Sequence, residues 1–396
     1  MAAKRNVYGV AAFLAGCVVT TLALNTDYLD GLLPLSARAD RDLYAPRNWS
    51  RSAPSKLNIS SFAFADRDRS GAYDPSDRPM AGVAVRLTRP DGSTVIGRSN
   101  VNGFANFAMQ LGGDDGDITV LNQPYRFEII APPGWEITTG NALHETSFRA
   151  VPGAIAGMGA VAPPPVVGLA PAPTLRGRWP DRANRSLVIT SDVGEKRRVG
   201  LDGSGHFELS LSPGTWSLPG SERAPRRVHV GFAPVYVSQG SGFGSAAGPG
   251  EAERIVDFDD VDRSYIEKLA PGYAGLGWDY LLAVDNQFYE GPGYVNGLVS
   301  GAMVAYNSSG HPATLYALAP GGYFDFLGGY FATAWPQSEG EVVTARAYRD
   351  GRLVAEDRLT LSHLGPVYFQ ADYLGVSRVE FTTDHYWQFV VDDLRV

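Results

Sequence analysis

The sequence predicts an all-β chain built from several β-sandwich modules. Three observations carry this. Gly (46) and Pro (27) are abundant while only 19% of residues are charged, the composition of many short strands joined by tight turns. Short runs of alternating apolar and polar residues recur throughout, the period of half-buried strands. After Leu24 no stretch keeps a helical period. At 396 residues the chain is long enough for two or three domains, each with its own core.

The N-terminus stands apart. Lys4 and Arg5 precede an apolar run over residues 7–24, the profile of an export signal, so residues 1–36 are expected to be an export signal or a membrane anchor. The run's 18 residues lie near the lower limit for spanning a bilayer. Cys17 is the only cysteine, which excludes a disulfide within the chain. "LAGC", residues 14–17, resembles the bacterial lipobox, and that resemblance makes Cys17 a lipidation candidate. "LPLSARA", ending at Ala39, offers an alternative A-x-A cleavage site. Residues 37–55 lack periodicity and read as a spacer. The expected location is outside the cytoplasm: cell surface, extracellular or periplasmic, with contact to a membrane only through this N-terminal segment.

Two biased stretches divide the remainder. Residues 150–173 read as a Pro/Gly/Ala linker and residues 238–252 as a Gly/Ser linker. They leave three folded blocks at 56–149, 174–237 and 253–396. In the first, Val83, Val85 and Leu87 alternate up to Asp91-Gly92, and Val95 resumes the pattern, a hairpin signal. "NGFANFAM" and "PPGW" in the first block are echoed by "DGSGHFEL" and "SPGTW" in the second, which predicts two related sandwiches. In the third, nine short apolar or aromatic runs are separated by Gly, Asn and Asp, which predicts a jelly-roll double sheet.

The stretch "FADRDRSGAYDPSDRP" carries the strongest chemical signal. Oxygen donors fall at Asp66, Asp68, Ser70, Asp74 and Asp77, positions 1, 3, 5, 9 and 12 of a loop. Gly71 sits at position 6 and the Ala72 carbonyl at position 7. A hard cation such as Ca2+ takes about six to eight oxygens, and a tightly wound loop turns alternate residues inward together. Asp77 is one methylene shorter than the Glu usual at position 12, and Pro75 and Pro79 oppose flanking helices, so the loop is expected on strands. The competing reading is a solvated turn in which Arg67, Arg69 and Arg78 pair with the aspartates.

With its flanks, "ISSFAFADRDRSGAYDPSDRPMAGVAVRL" resembles the SdrD B-like repeat of bacterial surface proteins, a Cna-B/prealbumin-like sandwich. The resemblance implies an Ig/prealbumin-like fold for residues 56–149 and a structural calcium held by Asp66, Asp68, Ser70, Ala72, Asp74 and Asp77. Asn100 stands where that family has Asp, which weakens any second cation site there. The 174–237 block resembles shorter carboxypeptidase-regulatory-like modules through "DGSGHFEL" and "SPGTWSL".

The block 253–396 opens with "RIVDFDDV" and closes with "QFVVDDLRV", and so is similar to secreted bacterial jelly rolls of the carbohydrate-binding and galactose-binding-like kinds. Asp257, Asp259, Asp260, Asp392 and Asp393 then either share a structural calcium or are solvent-facing edge residues that discourage aggregation. Exposed aromatics beside polar donors make sugar platforms, and Trp278, Asp279, Tyr289 and Trp387 are the candidates, although most aromatics of a sandwich lie in its core.

The chain's net charge of −8 argues against a nucleic-acid partner. Residues 253–396 hold 20 Asp+Glu against 9 Lys+Arg, so the acidity belongs to the C-terminal third. No metalloprotease motif, nucleophile elbow or phosphate loop is present, and the six histidines are scattered singly. A glycosidase carboxylate pair is selected by spatial separation and leaves no spacing to read. The expectation is a non-catalytic surface protein: a calcium-stabilised stalk carrying a head that binds an extracellular polysaccharide or a surface protein. The rival expectations are a purely structural envelope component and a glycan hydrolase.

Overall fold

One turn recurs in the first two blocks and sets both sandwiches. In the first, the Asn100 side chain accepts the backbone N–H of Asn102 and Phe104 (3.0 and 3.1 Å), and Gly103 follows with φ 80°. In the second, Asp202 accepts from Ser204 and His206 (both 2.8 Å), and Gly205 follows with φ 81°. Each turn launches a strand, Phe104–Ala108 or His206–Ser210, that pairs antiparallel with its block's first strand, Asn58–Ala65 or Thr174–Arg178. A side chain at Gly205 would lie 2.3 Å from the Trp179 carbonyl, so glycine is required there. The echo in the sequence is therefore a repeated structural unit.

The computed structural model describes residues 58–108, 124–147, 149–150, 159–160, 165–219, 226–247, 253–262 and 266–396, and among these the fold is all-β. The segment 1–36, Cys17 and the spacer 37–55 lie outside the described residues. No helix among the described residues is long and apolar enough to cross a membrane.

In the first sandwich one sheet pairs Ala84–Thr88 with Thr94–Arg98 and Pro124–Ile130, and the last of these with Leu143–Ser147. The hairpin at Asp91-Gly92 forms as expected, with Thr88 opposite Thr94. Val85, Leu87, Tyr125, Phe127 and Ile129 point inward on alternate positions and meet Ala63, Phe107, Val167 and Leu169 of the second sheet.

Two of those residues overturn the first linker expectation. Within 150–173, Val166–Pro171 is a strand, parallel to Asn58–Ala65 and antiparallel to Trp135–Ile137. Its burial drives this: Val167, Leu169 and Ala170 are fully buried. Gly168 permits the approach, since a Cβ there would lie 2.6 Å from the Phe64 ring.

The second linker expectation is also corrected. A ten-stranded sheet runs from the second block into the third, because Val235–Val237 pairs in parallel with both Thr174–Arg178 and Val367–Val376. The stretch after it stays on the third block: the Ser241 hydroxyl donates to the Leu374 carbonyl (2.7 Å) and Ala246 N–H to Asp325 (2.8 Å). Backbone pairing closes the boundary that composition suggested, and the described residues all fall within one unit, Pro54–Val396.

All nine runs expected as strands in the third block belong to strands. Its second sheet is ordered Leu276–Asp279, Ala313–Ala317, Arg378–Thr383, Val342–Arg349, Arg352–Thr360. Between the sheets lies an aromatic core including Phe326, Phe331, Phe369, Tyr373 and Phe381. The first and last strands are neighbours, as expected, with Val256 opposite Leu394.

Candidate functional site

The strand Asn58–Ala65 delivers the loop 66–77 to the junction between the first and third blocks. Asp66 is 1% exposed, and its two carboxylate oxygens accept the N–H groups of Ser70 (3.0 Å) and Gly71 (2.9 Å). Gly71 has φ 74°, the left-handed turn that its loop position called for. Asp77, 4% exposed, accepts from the N–H of Arg67 (2.8 Å) and Asp74 (3.1 Å). Asp68 is exposed and accepts from Ser70 N–H (2.9 Å).

One oxygen from each of Asp66, Asp68 and Asp77 lies within 4.8 Å of the others. Burial pushes the Asp77 carboxyl up, the charges of Asp66 and Asp74 add to this, and the N–H groups of Arg67 and Asp74 oppose it. Asp68 is held below the usual range by Ser70. The other expected donors turn elsewhere. Asp74 accepts both the N–H and the hydroxyl of Ser76 (2.7 Å each), while the Ser70 hydroxyl donates to the Ala72 carbonyl (3.0 Å).

Two of the arginines that would neutralise a plain charged turn leave it. Arg69 pairs with Glu136 at 2.8 Å. Arg67 reaches across the junction and donates to the carbonyls of Leu298 (2.6 Å) and Val299 (2.8 Å), its guanidinium 5.1 Å from the Phe232 ring centre. Burial, with the charge of Arg78, lowers the Arg67 pKa to about 10. The trio is therefore a concentration of negative charge whose sequence neighbours Arg67 and Arg69 are committed to other partners.

The carbonyls that Arg67 caps belong to a loop held from its other side by the C-terminal acids. Asp392, fully buried, accepts the N–H of Val299 (2.7 Å) and Ser300 (3.1 Å). Asp393 accepts the Ser300 hydroxyl (2.6 Å), and Asp259 accepts the N–H of Ala302 (2.8 Å) and Met303 (3.0 Å). Asp257 accepts the N–H of Asp259 (3.2 Å), and Asp260 the Tyr273 hydroxyl (2.6 Å). Burial and the charge of Asp393 push Asp392 up to about 8. The edge-residue reading thus fails at Asp392, which anchors a loop. Among the described residues the three-carboxylate grouping is Asp66, Asp68 and Asp77, without these five.

The aromatic candidates separate by strand phase. Trp278 is a correction: it is 1% exposed, donates to the Tyr273 carbonyl (2.8 Å) and packs on Phe258, because Leu276–Asp279 turns Leu276 and Trp278 inward and Asp279 out. Tyr289 is half-buried, its hydroxyl 2.9 Å from that of Tyr306 within a group containing Tyr294 and Trp335. Trp387 is exposed, and its neighbours were not expected. Tyr386 is 73% and Tyr280 53% exposed, both with left-handed backbones (φ 59° and 58°), and Tyr280 packs against His311 at 5.0 Å between ring centres.

Buried Asn307 ties this end together. Its amide donates to the carbonyls of His311 (3.0 Å) and Trp387 (3.4 Å), and its oxygen accepts Phe389 N–H (2.6 Å). Ser308 N–H donates to the Tyr280 carbonyl (2.8 Å). Three loops, each running between the two sheets of the third block, thus present Tyr280, His311, Tyr386 and Trp387 at one end of it. Their sequence signal was only position: each lies in a turn between strands.

No protein-family model matches the chain, and no curated protein matches it. Among solved structures, it is similar to the TIE protein of Bacillus anthracis at 11% identity, TM-score 0.21, over 46% of this chain and 32% of that one. The K2 adhesin domain of Lys-gingipain matches at 12% identity, TM-score 0.26, over 37% of this chain and 98% of that one. The shaft pilin spaA from Lactobacillus rhamnosus GG matches at 12% identity, TM-score 0.22, over 45% and 95%. The chain spans about a third of the first of these proteins.

Proposed function

We propose that this is an exported, non-catalytic surface protein whose first sandwich binds a structural Ca2+ and whose third block binds a glycan. The carrying observation is the loop 66–77, where three carboxylates meet while Arg67 and Arg69 are engaged elsewhere. Hard oxygen donors in a wound loop suit Ca2+, and with one oxygen from each of three side chains the remaining positions fall to backbone carbonyls and water. The resemblance to SdrD B-like repeats points the same way. Because Arg67 of the loop donates to carbonyls of the third block, Ca2+ held there would stiffen the seat of the head rather than a jointed stalk.

The glycan surface is the end bearing Tyr280, His311, Tyr386 and Trp387, with Asp279 exposed beside Tyr280. Aromatic faces stack on the C–H faces of a sugar, and left-handed tyrosines are a conformational cost sustained by the surrounding fold. Titrating the full chain with Ca2+ by calorimetry, beside Asp68→Ala, tests the first half: heat that vanishes in the variant supports it, and no heat in the parent refutes it. A glycan array probed with the parent and with Trp387→Ala tests the second half.

A further inference from the structure

The second block carries a feature that neither the calcium loop nor the aromatic end uses. Its four-stranded sheet is ordered Lys196–Gly200, Ser186–Ser191, Gly214–Leu218, Arg226–Val230. One face is the module's core, built from Leu187, Ile189, Trp216, Leu218, Val228 and Val230. On the other, register puts Lys196 opposite Thr190, Thr190 opposite Ser217 and Ser217 opposite Arg227, a single row across all four strands. Directly paired residues share a face, and so do positions two apart along a strand, which adds Arg198 and His229.

Lys196, Arg198, Arg227 and His229 are all exposed, and Lys196, Arg198 and Arg227 make no ion pair among the described residues. None of the four strands contains Asp or Glu. Residues 174–237 hold 10 Lys+Arg against 6 Asp+Glu, a net of +4 within a chain of net −8.

We infer that this sheet face binds an anionic polysaccharide. Neighbouring strands lie about 4.8 Å apart, so the Lys196 and Arg227 backbones, three strands apart, are separated by about 14 Å. A single small anion cannot touch both, whereas a polymer laid across the strands meets a cation at each edge and the hydroxyls of Thr190 and Ser217 between them. No Phe, Tyr or Trp of the four strands projects on this face to stack a base, which disfavours single-stranded nucleic acid. The surface is separate from the aromatic end of the third block, and its charge selects a different class of glycan.

The test is retention of the full chain on immobilised polygalacturonate, with dextran as the neutral control and single-stranded DNA as a second polyanion. Retention on polygalacturonate but not dextran is expected, weakening about tenfold or more between about 50 and about 200 mM salt as screening and counterion uptake compete. Lys196→Ser/Arg198→Ser/Arg227→Ser, all exposed positions, should weaken it at least about tenfold, while Lys268→Ser/Arg352→Ser, exposed cations of the third block, leaves it unchanged. Unchanged retention in the triple variant, an equal loss in Lys268→Ser/Arg352→Ser, or tighter binding to the DNA would each overturn the inference.

Discussion

The guanidinium of Arg67 donates to the carbonyl oxygen of Leu298 at 2.6 Å, across 231 residues of sequence. Arg67 is the residue between two of the carboxylates that converge in the loop, and its own N–H is held by the third, Asp77. The same side chain therefore shapes the loop through its backbone and caps the third block through its fork. Charge-assisted hydrogen bonds of this kind contribute about 1.5–3 kcal/mol each, and removing the donor strands two carbonyls. Arg67→Ala should lower the unfolding free energy by about 2–4 kcal/mol in urea titration, and Arg67→Lys, which lacks the planar fork, should recover only part of this.

Calcium should raise stability by mass action. For an extracellular module with Kd near ~1 mM, ~10 mM Ca2+ adds about 1.4 kcal/mol. Asp68→Ala removes an exposed ligand with little packing, so its melting temperature in chelator should match the parent's while the calcium-dependent rise disappears. A rise that persists in Asp68→Ala would move the metal elsewhere.

Sequence showed the fold where burial alternates on one strand, and hid it where pairing is remote. Nine strands of the third block announce themselves by aromatic and β-branched runs, whereas Arg352–Thr360 does not, since Arg352, Glu356 and Arg358 punctuate it and its early residues are exposed. Val166–Pro171 was masked by the Pro, Gly and Ala around it, although Val167 and Leu169 carry the burial. In the loop, spacing located Asp66, Asp68 and Asp77, but Asp74 folds back on Ser76, a local choice that spacing does not encode. Nothing near Arg67 in sequence says that its partners are Leu298 and Val299.

Asp357 should make stability fall as pH rises. It is 3% exposed, accepts from the hydroxyls of Tyr236 (3.1 Å) and Tyr373 (2.7 Å), and burial raises its pKa despite these bonds. A carboxyl whose folded pKa exceeds its unfolded value binds more protons folded than unfolded. Its contribution is thus fully present below the unfolded pKa, about 3.9, and is lost as pH climbs through the folded value. Asp357→Asn is neutral throughout, so the parent's stability relative to the variant's, measured by urea titration at successive pH values, should decline from acid toward neutrality. A flat difference would mean that Asp357 is ionised at no cost.

Trp278 and Trp387 should behave as opposites, although the sequence offered both as sugar contacts. Trp278 fills the core against Phe258 and Tyr273, so Trp278→Ala should cost about 3–5 kcal/mol through the cavity it leaves. Trp387→Ala and Tyr386→Ala remove exposed rings, and each should change the unfolding free energy by only about 0.5 kcal/mol. If this end of the third block is the glycan surface, those two variants lose array binding while keeping the parent's melting temperature. Binding retained in both, with the fold intact, would leave the aromatic end as an ordinary exposed surface.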